Sequence, residues 1–206
     1  MEIVRTNKVQ LSYFFKNDNI KSFELISKLY ERLSGDFKTE PQTISVPSDA
    51  PKEFPRCIWS SPNITLTFSL LKLDLIFNIG TGFEWENQVV QYADRIKDVL
   101  LSSQIEISRI GIVTDNIAKD DLHDVLNDRV KIDKFQTAKE LNISWVENVE
   151  KNLNYNVWTN ISIDENSSNY SVVFDVNSVF GEDTIDMVTA LNDAVDIMEG
   201  KMKYVI

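Results

Sequence analysis

The sequence predicts an α+β protein, an antiparallel sheet or sheets backed by helices, built as two closely packed pseudo-equivalent halves, residues 1–104 and 105–206. Three observations carry this. Short runs of alternating apolar and polar residues recur along the chain. Longer stretches between them change to helical spacing. All five prolines lie between residues 41 and 62, so that stretch cannot be helical.

The first strand is read from Val9, Leu11, Tyr13 and Phe15, which alternate with Gln10, Ser12 and Phe14. After Asn17-Asp18-Asn19, the spacing of Phe23, Ile26, Leu29, Tyr30 and Leu33 predicts a helix that stops at Gly35. The Pro-rich stretch is expected to hold two edge strands, 43–46 and 56–60. A hairpin follows over 64–79, with Ile64, Leu66 and Phe68 facing the same way as Leu73, Leu75 and Phe77. A helix over 85–101 buries Val89, Tyr92, Ala93, Ile96, Val99 and Leu100.

The second half begins with 105–114, apolar on both faces and therefore central. A short helix over 119–126, weaker strands at 130–135 and 143–149, and a helical turn at 137–141 are expected next. A second hairpin joins 154–163 to 169–176. The last helix, 184–198, is expected to bury Ile185, Val188, Leu191, Val195 and Met198, with Asp183 as N-cap and Asp186 in a capping box.

Each half thus reads strand, helix, up to four strands, long helix. Residues 9–15 align with 107–113 at an offset of 98, and 73–79 with 172–178 at 99. This order resembles the TATA-binding-protein-like architecture, a curved antiparallel sheet backed by helices. The likeness is one of fold and carries no function.

The hairpin 64–79, the segment Ile107-Ser108-Arg109-Ile110-Gly111-Ile112-Val113-Thr114-Asp115-Asn116 and the terminal 181–206 segment together are similar to a sporadically distributed family of uncharacterised bacterial proteins. The resemblance implies a bacterial setting linked to defence or mobile elements. It supplies no catalytic residues.

The chemistry-bearing residues are few. One His and one Cys exclude a Cys/His metal centre and a disulfide framework. His123 lies among Asp120, Asp121 and Asp124, but those acids suit the first turn of a helix, where the dipole favours them. Cys57 sits in an apolar strand and reads as structural. Gly80-Thr81-Gly82 lacks the rest of a phosphate loop and reads as a hairpin exit. Asp115 with Asp120 and Asp121, and Glu182-Asp183 with Asp186, are the acidic groups that would serve a carboxylate-based, divalent-metal-assisted hydrolase. Helix starts account for both. No catalytic, cofactor or metal residues are assigned.

Charge is uneven. Residues 1–104 hold 13 acids and 12 bases, and residues 105–206 hold 19 and 9, which places almost all of the net charge of −11 in the second half. Such a half repels phosphate, so nucleic acid is not the expected partner. No signal peptide or membrane-length apolar run is visible, and a cytoplasmic location is expected. The function expected is that of a non-enzymatic binding protein. Asp121, Asp124 and Asp128 form an acidic face for a basic protein partner, and a homodimer pairs through the Pro-rich edges. The alternatives are the hydrolase above and a chaperone-like protein that cradles a ligand in an apolar groove.

Overall fold

A computed structural model describes residues 2–17, 20–80, 85–119, 140–164, 169–179 and 185–203. The elements are β1 (Glu2–Phe15), α1 (Ser22–Leu33), β2 (Gln42–Thr43), β3 (Cys57–Ser60), β4 (Ile64–Phe68), β5 (Lys72–Asn78), α2 (Trp85–Ser102), β6 (Ile107–Lys119), β7 (Glu140–Glu150), β8 (Asn154–Asp164), β9 (Tyr170–Ser178) and α3 (Met187–Lys203). The strands form one antiparallel sheet of order β2-β3-β4-β5-β1-β6-β9-β8-β7. This is the α+β architecture the alternation predicts.

About the central β1–β6 pair the order is symmetric: β5 answers to β9, β4 to β8 and β3 to β7. The correspondence is one of strand order rather than register. An offset of 98 places Ile107 where Val9 stands, yet Val9 pairs with Phe77 whereas β6 meets β9 only from Gly111 onward.

Residues directly opposite each other on paired strands point to the same side. Val9, Leu11 and Tyr13 on β1, Leu73, Leu75 and Phe77 on β5, Ile110 and Ile112 on β6, Val172, Phe174 and Val176 on β9 and Tyr155 and Val157 on β8 therefore share one face, and all are buried. The helices cover this face. Phe77 meets Tyr92 of α2 edge-on at 5.5 Å, and Trp59 stacks on Tyr30 of α1 at 5.4 Å and on Phe37 at 4.1 Å. The Tyr155 hydroxyl donates to Ala190 O of α3 at 3.2 Å. Burial raises the pKa of Tyr13 and Tyr155 well above the usual phenol range, so both stay protonated. Burying a large apolar side chain here is worth about 1.5–3 kcal/mol.

Asn116 holds the central strands together from within this core. It accepts from Thr6 Oγ1 at 2.8 Å and donates to Thr114 Oγ1 at 2.9 Å and Val172 O at 3.1 Å. Its amide is fully enclosed, and these partners remove the cost of enclosing it.

Several elements depart from the sequence expectation. β1 begins at Glu2 rather than residue 9, because two bulges, at Ile3/Arg5 and Thr6/Lys8, put its early residues out of phase with simple alternation. In α1 the buried stripe is Leu25, Leu29 and Leu33, while Phe23 is exposed. β2 keeps only Gln42 and Thr43 between Pro41 and Pro47, and no helix forms over 41–62. Lys119 ends β6, and Glu140 and Leu141 begin β7, so neither belongs to the expected helix or turn; 120–139 lie outside the described residues. α3 starts at Met187 rather than residue 184. Asp186 is the observed cap: its carboxylate accepts from Val188 N at 3.3 Å and Thr189 N at 3.2 Å. Asp183 lies outside the described residues. The later start turns Val188 outward and Met187, Ala190 and Ala194 inward. No described helix is long and apolar enough to cross a membrane.

Candidate functional site

The other face of the sheet is covered by no element among the described residues. Its composition follows from register. Across the middle, Asp74, Ser12, Gly111, Asn177, Asn156 and Asn148 stand side by side on β5, β1, β6, β9, β8 and β7. The next row is Ile76, Gln10, Val113, Asp175, Trp158 and Val146. Beyond it come Asn78, Lys8, Asp115, Val173, Asn160 and Ser144.

Gly111 permits the centre of this surface. A Cβ there would lie 2.5 Å from Asn177 Oδ1 and 3.7 Å from the Phe14 ring. Without it, Asn177 leans across β6 while its amide donates to Asp175. Arg109 lies two residues away on the same strand face, its guanidinium carbon 3.8 Å from the Phe14 ring centroid.

This face carries several charges, some of them paired with a neighbour and others, such as Glu150 on β7, set at its exposed border. Asp74 accepts from Ser12 Oγ at 2.7 Å and Gln10 Nε2 at 3.3 Å and pairs with Lys72 at 2.8 Å. Lys8 stands opposite Asp115. Burial raises the Asp175 carboxyl above its ordinary range, against the lowering effects of the Asn177 amide and the Arg109 charge. Burial likewise lowers the Arg109 pKa, and Asp175 opposes that shift. The surface therefore mixes hydrogen-bonding, apolar and charged groups, with charges of both signs.

Trp158 is the apolar feature of this face. Its residue is 51% exposed, with Val146 beside it at 43%. Alternation along β8 places Trp158 opposite in direction to Tyr155, which is fully buried. The sequence therefore shows that one of the two must face away from the core. It does not show the amides and hydroxyls around the indole, because those come from other strands.

The other candidates are distributed differently. Asp121, Asp124, Asp128 and His123, and also Asp120, Thr81, Gly82, Glu182 and Asp183, lie outside the described residues. Asp115 is on the open face, and Asp186 is occupied as a helix cap. Cys57 is buried and reduced, and enclosure raises its thiol pKa, which suits packing rather than nucleophilic attack. Among the described residues no three His, Cys, Asp or Glu side chains gather into a metal-holding group.

A cleft of about 670 Å³ lies between the start of α1 and the end of α2, lined by Asn17, Lys21, Glu24, Ser103 and Glu106 among others. Its charges have partners nearby: Glu106 pairs with Lys16 at 3.8 Å and Lys21 with Glu24 at 3.8 Å. Lys28, one turn along α1, pairs with Glu24 at 3.2 Å and donates to Ser102 O at 3.1 Å. No protein-family model matches the chain, and no curated protein matches it.

Proposed function

We propose that this chain is a non-enzymatic binding protein and that the open sheet face holds a protein partner. The observation that carries this is the half-exposed Trp158, which stands between Val146 and Asp175 with Asn156 and Asn160 flanking it on β8. Tryptophan is enriched at interface anchor positions because it buries a large area with few rotatable bonds. The polar surroundings suit an interface rim, and the rigid sheet limits the ordering cost of binding.

The excess acid of residues 105–206 favours a second contact. On this reading Asp121, Asp124 and Asp128 dock a basic partner, and their joint replacement by Asn abolishes its capture while leaving folding intact. For the sheet face, a photo-crosslinking residue is placed at position 158 and, as a control, at Phe54, which is exposed elsewhere. A discrete protein adduct from position 158 but not from position 54 is the expected result. Equal labelling from both positions, or none from position 158, rejects the open face as the binding surface.

A further inference from the structure

We propose that the free edge of β7 takes a basic, extended segment of a partner protein as an additional strand of the sheet, a proposal that rests on this chain being a binding protein with a basic partner.

The two edges of the sheet are built differently. β2 offers only Gln42 and Thr43, set between Pro41 and Pro47. β7 runs for 11 residues, with no proline, no lysine and no bulge in its pairing with β8. Short length, proline, lysine and bulges are what keep a sheet edge from pairing with another chain. Among the described residues, no segment pairs with the outer side of β7.

The register fixes which backbone groups point outward. Lys151 N donates to Leu153 O at 2.9 Å, which makes 151 and 153 a bonded pair. Bonded and non-bonded pairs alternate along an antiparallel ladder. Val149, Glu147, Trp145 and Ile143 therefore bond to β8, and the N–H and C=O groups of Glu150, Asn148, Val146, Ser144 and Asn142 turn to the free edge. The other side of β8 agrees with this phase, because Asn154, opposite Glu150, accepts from Val179 N at 2.7 Å. An extended segment laid along β7 satisfies these groups with its own backbone.

The side chains define the occupant. Ile143, Trp145 and Val149 pack against the core yet stay half-buried, whereas Ile161, Thr159 and Tyr155 opposite them on β8 are buried. What the β7 residues lack is a neighbour on the edge side. The added strand supplies it with apolar residues at alternate positions, since directly opposed residues point to the same side. Its other residues flank Val146 and Glu150 on the open face. β7 and β8 contain Glu140, Glu147, Glu150 and Asp164 and no Lys or Arg. Lys201 of α3 answers Glu147, and among the described residues no ion pair answers the exposed Glu150. A second copy would bring the same glutamates to this edge. A strand alternating basic and apolar residues matches both sides.

Amide exchange of the full chain, read residue by residue by NMR, tests this. In the free chain the amides of Ser144, Val146 and Asn148 are expected to exchange fast and those of Ile143, Trp145 and Glu147 slowly. The probe is a blocked peptide of alternating Lys and Val, added up to about 1 mM to reach millimolar affinities. Exchange at Ser144, Val146 and Asn148 is expected to slow about tenfold once the peptide stands at about ten times its dissociation constant. A peptide of alternating Glu and Val is expected to give no protection. Ser144→Pro removes an outward N–H and no bond to β8, and is expected to weaken the Lys–Val peptide at least about tenfold. Four results overturn the proposal: outward amides already slow in the free chain, no protection by the Lys–Val peptide, equal protection by the Glu–Val peptide, or a folded Ser144→Pro chain that binds as wild type does. An unprotected edge together with a protein adduct at position 158 removes the added strand and keeps the binding reading. An unprotected edge without an adduct removes both.

Discussion

Trp59 and Trp158 sit on strands of the same sheet, each next to an edge strand, and they have opposite fates. Trp59, on β3, is 2% exposed, stacked between Tyr30 and Phe37, and its indole N–H donates to Thr39 O. Trp158, on β8, is 51% exposed and looks away from every described helix. The residue type does not decide between them. The parity of the position on its strand does, because one step along a strand exchanges the covered face for the open one. The same rule separates Leu11 from Gln10 and Tyr155 from Asn156. The covered face is built to be dry, and its polar groups are bonded inside. The other face is exposed at Trp158, Val146 and Asn160, while toward its centre Ser12 and Asp74 are buried and bonded to each other.

The sharpest way to break this contrast is to truncate both indoles. Trp59→Ala empties a stacked, enclosed site and is expected to cost about 3–5 kcal/mol in chemical denaturation. A loss below about 1 kcal/mol would mean that Trp59 is not part of a packed core. Asp193→Ala should come next. Asp193 is buried on α3 and accepts from Asn152 N at 3.1 Å, Asn152 Nδ2 at 2.8 Å and the Tyr155 hydroxyl at 3.3 Å. Its removal takes away these bonds, although Asn152 is exposed to water and the Tyr155 hydroxyl keeps Ala190 O, so the expected loss is about 1–2 kcal/mol. Tyr155→Phe, which removes only one of these donors, should cost less than half as much in the same assay.

Asp186→Ala isolates a smaller effect, expected at about 1 kcal/mol for a lost helix cap. Hydrogen bonds from Thr189 hold this carboxyl below its ordinary range. Its folded pKa is thus lower than its unfolded value of about 3.9. The stability it adds is fully present above that value and is lost as the pH falls through the folded pKa. The melting-temperature gap between variant and wild type should therefore be widest near neutrality and close in acid. A gap that widens in acid would remove the charged cap from the account. Trp158→Ala sits at the bottom of the scale. A surface truncation away from packing should change monomer stability by no more than about 0.5 kcal/mol. A loss near that of Trp59→Ala would show that something covers the open face.

Much of the covered face was legible. The stripe of α2 needs only helical spacing, and all six residues expected to be buried are buried. The hairpin of β4 and β5 needs only alternation and a short turn, and Leu66 pairs with Leu75 as the pattern implies. Expectation failed where local rules competed. Bulges hid the first residues of β1, and the later start of α3 at the Asp186 cap left Val188 outside the buried stripe while Leu191, Val195 and Met198 are buried as expected. The candidate site was barely legible. Arg109 and Gly111 stood in a motif noted for its resemblance, with no indication that their strand face opens to solvent. Asn148, Asn156 and Asn177 come from three separate segments and align only through the β7–β8–β9 register.

What the sequence determined by itself is the set of elements and the inward side of most of them, because periodicity along one strand or helix is a local property of the chain. What the tertiary structure alone decided is which outward residues become neighbours: Trp158 beside Val146 and Asp175, three asparagines in a row. The physical reason is that the covered face is selected one residue at a time by removal from water, a cost each side chain carries individually. The open face acquires its character from pairs, and pairs across strands exist only once the ladders have set their register.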